Sequence, residues 1–317
     1  MRRSGSQWTG LDTVIAKEMS ENLHSARMRI LEGLIVLAAI GAVYTATRQI
    51  KANVGEDPFL LLRLFTTAQA PLPSFVSFLG FLVPIMAIAL GFDSINSEHN
   101  RGTLSRVLAQ PIYRDALLSG KFLSTLGTLA LALTSLWLLV VGLGLLLLGV
   151  PPSGEEVIRG LAFLVVTIFY AGAWTAVAML FSVVFRQAAT SALAALALWL
   201  LFTVFWTMIS GLVAQWFTPS NVNDLNAVIT QTEIHQWMLR LSPNTLFVEA
   251  TIGLLSPTTR SLGPLLFTQL EDAVAGAPLP VVQSLLLVWP QVTALIAETI
   301  LMFTVTYVSF QRQEVRA

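Results

Sequence analysis

Few side chains in this chain could do chemistry, and they do not gather. The three histidines, His24, His99 and His235, are far apart in the sequence, and six alternating spans would divide them between two sides of a membrane, so a shared metal site is not expected. Cysteine is absent, which removes thiolate catalysis, disulfides and Cys-ligated zinc. No Gly-x-x-x-x-Gly-Lys-Ser/Thr run occurs; Gly120-Lys121 is followed by Phe122 and lacks the upstream glycine, so it cannot cradle phosphates. A membrane-embedded enzyme would need an acid, base or metal constellation at one depth, and none is visible. What remains is one polar stretch, 93–114, and one carboxylate, Glu298, inside a long apolar run. A charge in hydrocarbon costs at least about 2.5 kcal/mol. Glu298 must therefore face a cavity, a partner or a dimer seam, or carry a proton. It is a candidate pathway or gating residue, with a structural hydrogen bond to a neighbouring Thr or Trp as the alternative.

The polar stretch has the makings of a docking element. Leu104, Val107 and Leu108 form a small apolar ridge, and Arg101, Arg106 and Arg114 surround it. Gly102 permits a tight turn ahead of the ridge. Pro111 stops the helix because it has no N–H to continue the ladder. A short helix parallel to the membrane, with an apolar ridge and a charged rim, is what a partner on that side could grip. Lys121, just downstream, reads as an interfacial charge that snorkels.

The elements that position these residues follow from composition. Of 317 residues, 55% are hydrophobic and 11% charged, against about 25% charged in a soluble domain. Mean hydropathy is +0.73. An ordinary water-soluble enzyme and a disordered chain are both excluded. With 18 basic and 18 acidic residues, no global field exists to attract nucleic acid. Six runs are long enough to span as helices: 30–47, 74–93, 122–150, 160–185, 190–213 and 281–310. An even number of spans puts both termini on one side, which then carries 12 of the 18 Lys and Arg residues. The termini are therefore expected in the cytoplasm, and the N-terminus shows no cleaved targeting segment.

Three further features complete the layout. Leu11, Val14, Ile15, Met19, Leu23, Ala26 and Ile30 fall at three- and four-residue steps, so 11–29 reads as an amphipathic helix in the interface plane. Small residues from Ala188 to Ala197 allow close packing of span five, in a dimer seam or within one subunit. The largest outer segment, 214–280, carries two short helical patterns separated at Pro243, read as two helices lying on the outer surface. Pro290 suggests a kink or break near the outer end of span six.

The run Glu98, Gly102-Thr103-Leu104, Gln110-Pro111-Ile112, Arg114, Leu118 and Gly120-Lys121 resembles the inner-loop signature of ABC exporter permeases of the type-2 class. The likeness extends to Lys17-Glu18 with Glu21-Asn22-Leu23, to the six-span layout and to Ser242-Pro243. It is similar to the permease subgroup serving nitrous oxide reductase maturation. The resemblance implies an all-α permease domain over 1–317 that pairs with a second copy, each resting on a separate ATP-binding-cassette ATPase. Loop 98–114 would be the coupling helix, with Glu98, Arg101, Gly102, Thr103, Leu104, Val107, Leu108, Pro111 and Arg114 as ATPase-coupling residues, braced by the N-terminal helix. ATP and Mg would be held by the partner, and no cofactor or metal by this chain. The implied function is ATP-driven export across the cell inner membrane. Two other readings stand beside it. One is a mechanical subunit that passes motion to an extracytoplasmic protein. The other is a secondary transporter, disfavoured because only span six carries a charged or broken feature of the kind such folds need in both halves.

Overall fold

The computed structural model describes residues 10–52, 59–68, 73–100, 102, 114–217, 225–262 and 278–312. Every regular element among them is helical. In chain order they are α1 (Leu11–His24), α2 (Ala26–Ala52), α3 (Leu60–Thr66), α4 (Phe75–Gly91), α5 (Asn96–Asn100), α6 (Arg114–Leu148) and α7 (Gly154–Val184). Then come α8 (Ala188–Leu200), a π-helical turn (Leu201–Phe205), α9 (Trp206–Phe217), α10 (Leu225–Leu239), α11 (Pro243–Leu255) and α12 (Val281–Arg312). Six helical stretches are long and apolar enough to cross a bilayer: α2, α4 with its continuation to Glu98, α6, α7, the run from α8 through α9, and α12. The protein is a multi-pass membrane protein. Most spans run past the expected limits, α2 and α6 the furthest. Hydropathy detects the lipid-embedded part, while the helix itself continues to where charged side chains reach water.

The bundle has two ends. One, the terminal end, gathers α1, the start of α2, the end of α4, the start of α6 and the end of α12. The other, the far end, gathers α3, the start of α7 and the start of α12. Span four (α7) is the central post, with 78% of its apolar window buried, against 11% for span five and 17% for span six. It packs on α4, α6, α11 and α12. Its middle supplies Phe163, Tyr170 and Trp174 to the core. Pro84 inside α4 cannot donate to the Gly80 carbonyl four residues back, and the Tyr170 hydroxyl donates to that carbonyl instead, at 2.9 Å. The same ring stacks on Phe247 of α11, with centroids 4.4 Å apart.

That stacking overturns one expectation. The helices between spans five and six do not lie flat on the outer surface. α10 folds back along α9, and the turn after it reaches the middle of span five, where the Ser242 hydroxyl donates to the Phe202 carbonyl at 3.4 Å. The Trp206 indole N–H meets the Met238 carbonyl at 2.8 Å. α11 then climbs outward inside the bundle with Leu246, Phe247, Ala250 and Leu254 buried. Non-helical backbone at such depth is tolerated only inside protein, and Ser242 is fully buried. The sequence pattern located these helices but not their re-entrant course, because apolar residues at helical spacing fit either one. α12 continues through Pro290 without a break.

α1 also differs from its expected limits. It ends at His24, and Ser25 separates it from span one. The Ser25 hydroxyl donates to the Asn22 carbonyl at 2.7 Å and accepts from the Met28 N–H at 3.1 Å, ending one helix and capping the next.

Candidate functional site

The terminal end is where charged side chains enter the bundle. α1 lays its apolar side along the start of span three: Val14 is buried, and a Cβ added to Gly120 would stand 2.7 Å from Val14 Cγ1. This close approach carries Glu18 of α1 to Lys121 of span three at 3.0 Å. Lys121 meets Glu98, in the middle of α5, at 2.8 Å. Only 4% of the lysine side chain is exposed. The snorkelling expected of Lys121 is therefore corrected: it is a buried cation shared by two carboxylates that join three separate elements. Its neighbour Asp93, at the end of α4, pairs with Arg27 at the start of span one at 2.7 Å, and the Arg27 guanidinium lies 4.9 Å from the Phe92 ring centre. A cleft of about 670 Å³ opens here, lined by Glu18, Glu21, Arg27, Asp93, Glu98 and Lys121 among others. Partial burial pulls the Lys17 ammonium down, but the carboxylates of Glu18 and Glu21 outweigh it and hold the group above its usual pKa.

The loop that follows α5 is fixed on both sides. Upstream, the Ser182 hydroxyl of span four accepts from the backbone N–H groups of Ile95 (2.9 Å) and Asn96 (3.3 Å), and the Asn100 amide donates to the Arg186 carbonyl at 2.9 Å. Downstream, Asp115 accepts from the Tyr307 hydroxyl at 2.9 Å and from the Gln311 amide, both near the end of span six. The two flanks of the loop are thus bonded to spans four and six, and through Lys121 to span three and α1.

Of the residues expected to couple to an ATPase, Glu98, Gly102 and Arg114 are described. Glu98 is in the triad, Gly102 has φ +65°, and Arg114 opens α6. At that φ a side chain is strained. Arg101, Thr103, Leu104, Val107, Leu108 and Pro111 lie outside the described residues, as does Arg106. The sequence reading missed Asp115, Ser182, Tyr307 and Gln311. The spacing of Tyr307 and Gln311, four apart at the polar end of an apolar helix, was the available signal.

The far end holds two networks that the sequence reading also missed. Arg159 of span four is fully buried. Its guanidinium donates to Glu155 from Nε (3.1 Å) and Nη2 (2.9 Å), to the carbonyls of Leu254 (2.9 Å) and Leu279 (2.5 Å), and to the Ser284 hydroxyl (2.9 Å). All five N–H donors are used. Glu156 completes a capping box with Ser153 and accepts from the Leu61 N–H of α3 at 2.8 Å. Deeper, Glu249 of α11 accepts from Arg240 and from Gln291 of span six, each at 2.9 Å. Glu298 stands two turns further along span six; its Oε2 is buried and has no hydrogen-bond partner among the described residues.

This architecture can be set beside known proteins. The family described as ABC-2 family transporter protein matches residues 13–315. The chain belongs to the ABC-2 transporter family. It is similar to the probable ABC transporter permease protein NosY of Pseudomonas aeruginosa, 32% identical over 120 residues, which cover 38% of this chain and 40% of that protein. It is also similar to the probable ABC transporter permease protein NosY of Stutzerimonas stutzeri, 24% identical over 297 residues, covering 90% of this chain and 96% of that protein. As an ABC-2 member the chain is a permease-type membrane subunit.

One consequence concerns α1 alone. Gly120→Leu puts a branched side chain where Val14 already sits, and overpacking of this kind costs about 1–3 kcal/mol. The variant is expected to release α1 while the spans stay folded. Amide hydrogen exchange along α1, with Val14 left in place, reports on the contact. Equal exchange in α1 with and without Gly120→Leu would show that the packing does not depend on the glycine.

Proposed function

We propose that this protein is the permease half of an ATP-binding-cassette exporter. It works as a pair of identical chains with both termini in the cytoplasm, each chain seated on a separate ATPase subunit that holds ATP and Mg. Loop 98–114 is the coupling helix. The observation that carries the reading is the buried triad Glu18–Lys121–Glu98, because it ties the start of that loop to α1 and to span three at one point. Closure of the ATPase pair displaces the loop. The triad, Ser182 and Asp115 pass the displacement to spans three, four and six, and the paired bundles change the side to which their interior opens. Span five, whose surface is largely unburied in one chain, offers its small residues Ala188 to Ala197 to the second copy.

The test is co-purification with an ATP-binding-cassette ATPase from the same cells, followed by ATP turnover in proteoliposomes. Gly102→Val and Leu104→Glu are each expected to reduce permease-dependent turnover about tenfold or more, with the melting temperature of the permease unchanged. Full coupled turnover in both variants would remove loop 98–114 from the mechanism.

A second reading is favoured by one observation. Arg159, Glu156 and Glu249 tie α3, α7, α11 and α12 into one block at the far end. A block of this kind suits a subunit that pushes on an extracytoplasmic protein as well as one that opens a path for a solute. ATP-dependent movement of a spin label at Thr258 without any solute flux would select this reading.

A further inference from the structure

We propose that Glu298 is a proton-binding site in the middle of span six: its carboxyl group keeps its proton while α12 is packed as it is here and gives it up when movement of the span admits water.

The placement of polar residues on α12 carries the argument. Ser284, Gln291 and Glu298 recur every seven residues and so share one side of the helix, the side that also buries Val288 and Leu295. The first two have partners inside the chain. Ser284 accepts from Arg159 and Gln291 donates to Glu249, each at 2.9 Å. The third breaks the series, since Oε2 of Glu298 is shut away from solvent and bonded to nothing among the described residues.

Charges that could stabilise an ionised carboxylate are elsewhere. The helices packed on α12 are α7, α11 and α6. On α7, Glu155, Glu156 and Arg159 sit at the far end in the networks above, and the Tyr170 hydroxyl is committed to the Gly80 carbonyl. α11 offers only Glu249, held by Arg240 and Gln291. On α6, Arg114, Asp115 and Lys121 are at the terminal end. On α12 itself, Tyr307 is bonded to Asp115 and Arg312 closes the helix. Next to Glu298, Thr299 packs against span four, its Cγ2 3.5 Å from the Cβ position of Gly172. Without water or a counter-charge an ionised carboxylate is far more costly to bury than the neutral acid. The proton is the ligand that this surrounding accepts. The site itself needs no ATPase; its link to transport rests on the permease reading above, because that reading is what moves span six.

The test treats the full chain, alone in phosphatidylcholine vesicles, with dicyclohexylcarbodiimide. The acid oxygen adds to the central carbon of the carbodiimide, the acid proton passes to a nitrogen, and rearrangement leaves a stable acylurea with no leaving group. The expected result is an adduct on the peptide containing Glu298, formed more slowly as pH rises and lost completely in Glu298→Gln. No adduct at any pH, or an adduct on Glu249 or Asp115 in its place, overturns the proposal. A second measurement adds the ATPase. The pH profile of coupled ATP turnover is expected to lose one limb in Glu298→Gln, a variant that keeps the same size and neutral form. An identical profile in both proteins overturns the link to transport while the labelling result stands. A permease that binds no ATPase at all counts against the permease reading alone.

Discussion

Replacing Arg159 with methionine is expected to lower the stability of the bundle by about 3–5 kcal/mol, the loss seen when one partner of a buried charged network is removed. The size follows from what is left behind. Five N–H donors disappear, leaving the buried Leu254 carbonyl and Ser284 hydroxyl, and the part-buried Leu279 carbonyl, without that partner. Glu155 loses its counter-charge as well, but its side chain is 35% exposed, so it rehydrates and adds little. Arg159→Lys rescues only part of the loss, because one ammonium has three donors and cannot reach four acceptors on three elements. Thermal unfolding in detergent, followed by circular dichroism, measures the effect. A midpoint equal to that of the natural protein would show that the far end is held by packing and not by this guanidinium.

Lys121→Met is expected to produce the second large loss, about 3 kcal/mol by the same reasoning, and to abolish coupling. Its signature is different. The substitution leaves Glu18 and Glu98, each about 15% exposed, facing one another across the vacated position. They repel, and α1 and α5 part from span three. Neutralising both acids in the methionine background, as Glu18→Gln and Glu98→Gln, removes the repulsion and is expected to return most of the stability but none of the coupling, since the ties between the three elements are still gone. If the triple variant couples ATP turnover normally, the triad has no part in transmission.

Much of this architecture was open to reading before any coordinates. Six apolar runs in a chain with so few charges admit little besides a helical bundle, and Gly102-Thr103-Leu104 with Pro111 and Arg114 carried the resemblance to the family to which the chain belongs. Lys121 was misread because a lysine at the start of a span usually does reach for headgroups; nothing in its own neighbourhood discloses that Glu18, a hundred residues earlier, arrives beside it. Arg159 was invisible for a related reason. Its acceptors are mostly backbone carbonyls, and a carbonyl has no letter in the sequence. The re-entrant course of α10 and α11 was hidden because apolar spacing reports a helix face and not the direction in which the helix travels. Glu298 was legible from the start, since a carboxylate in a long apolar run has no ordinary explanation.

The reach of Arg159 also sets an order for biogenesis. The arginine belongs to the fourth span, yet the groups that satisfy it, at Leu254, Leu279 and Ser284, are synthesised 95 to 125 residues later. Until the last span leaves the translocon, the nascent protein must hold a solvated guanidinium at the rim of its central post. A chain stopped short of residue 254 lacks all three of these acceptors, and a finished chain encloses the guanidinium.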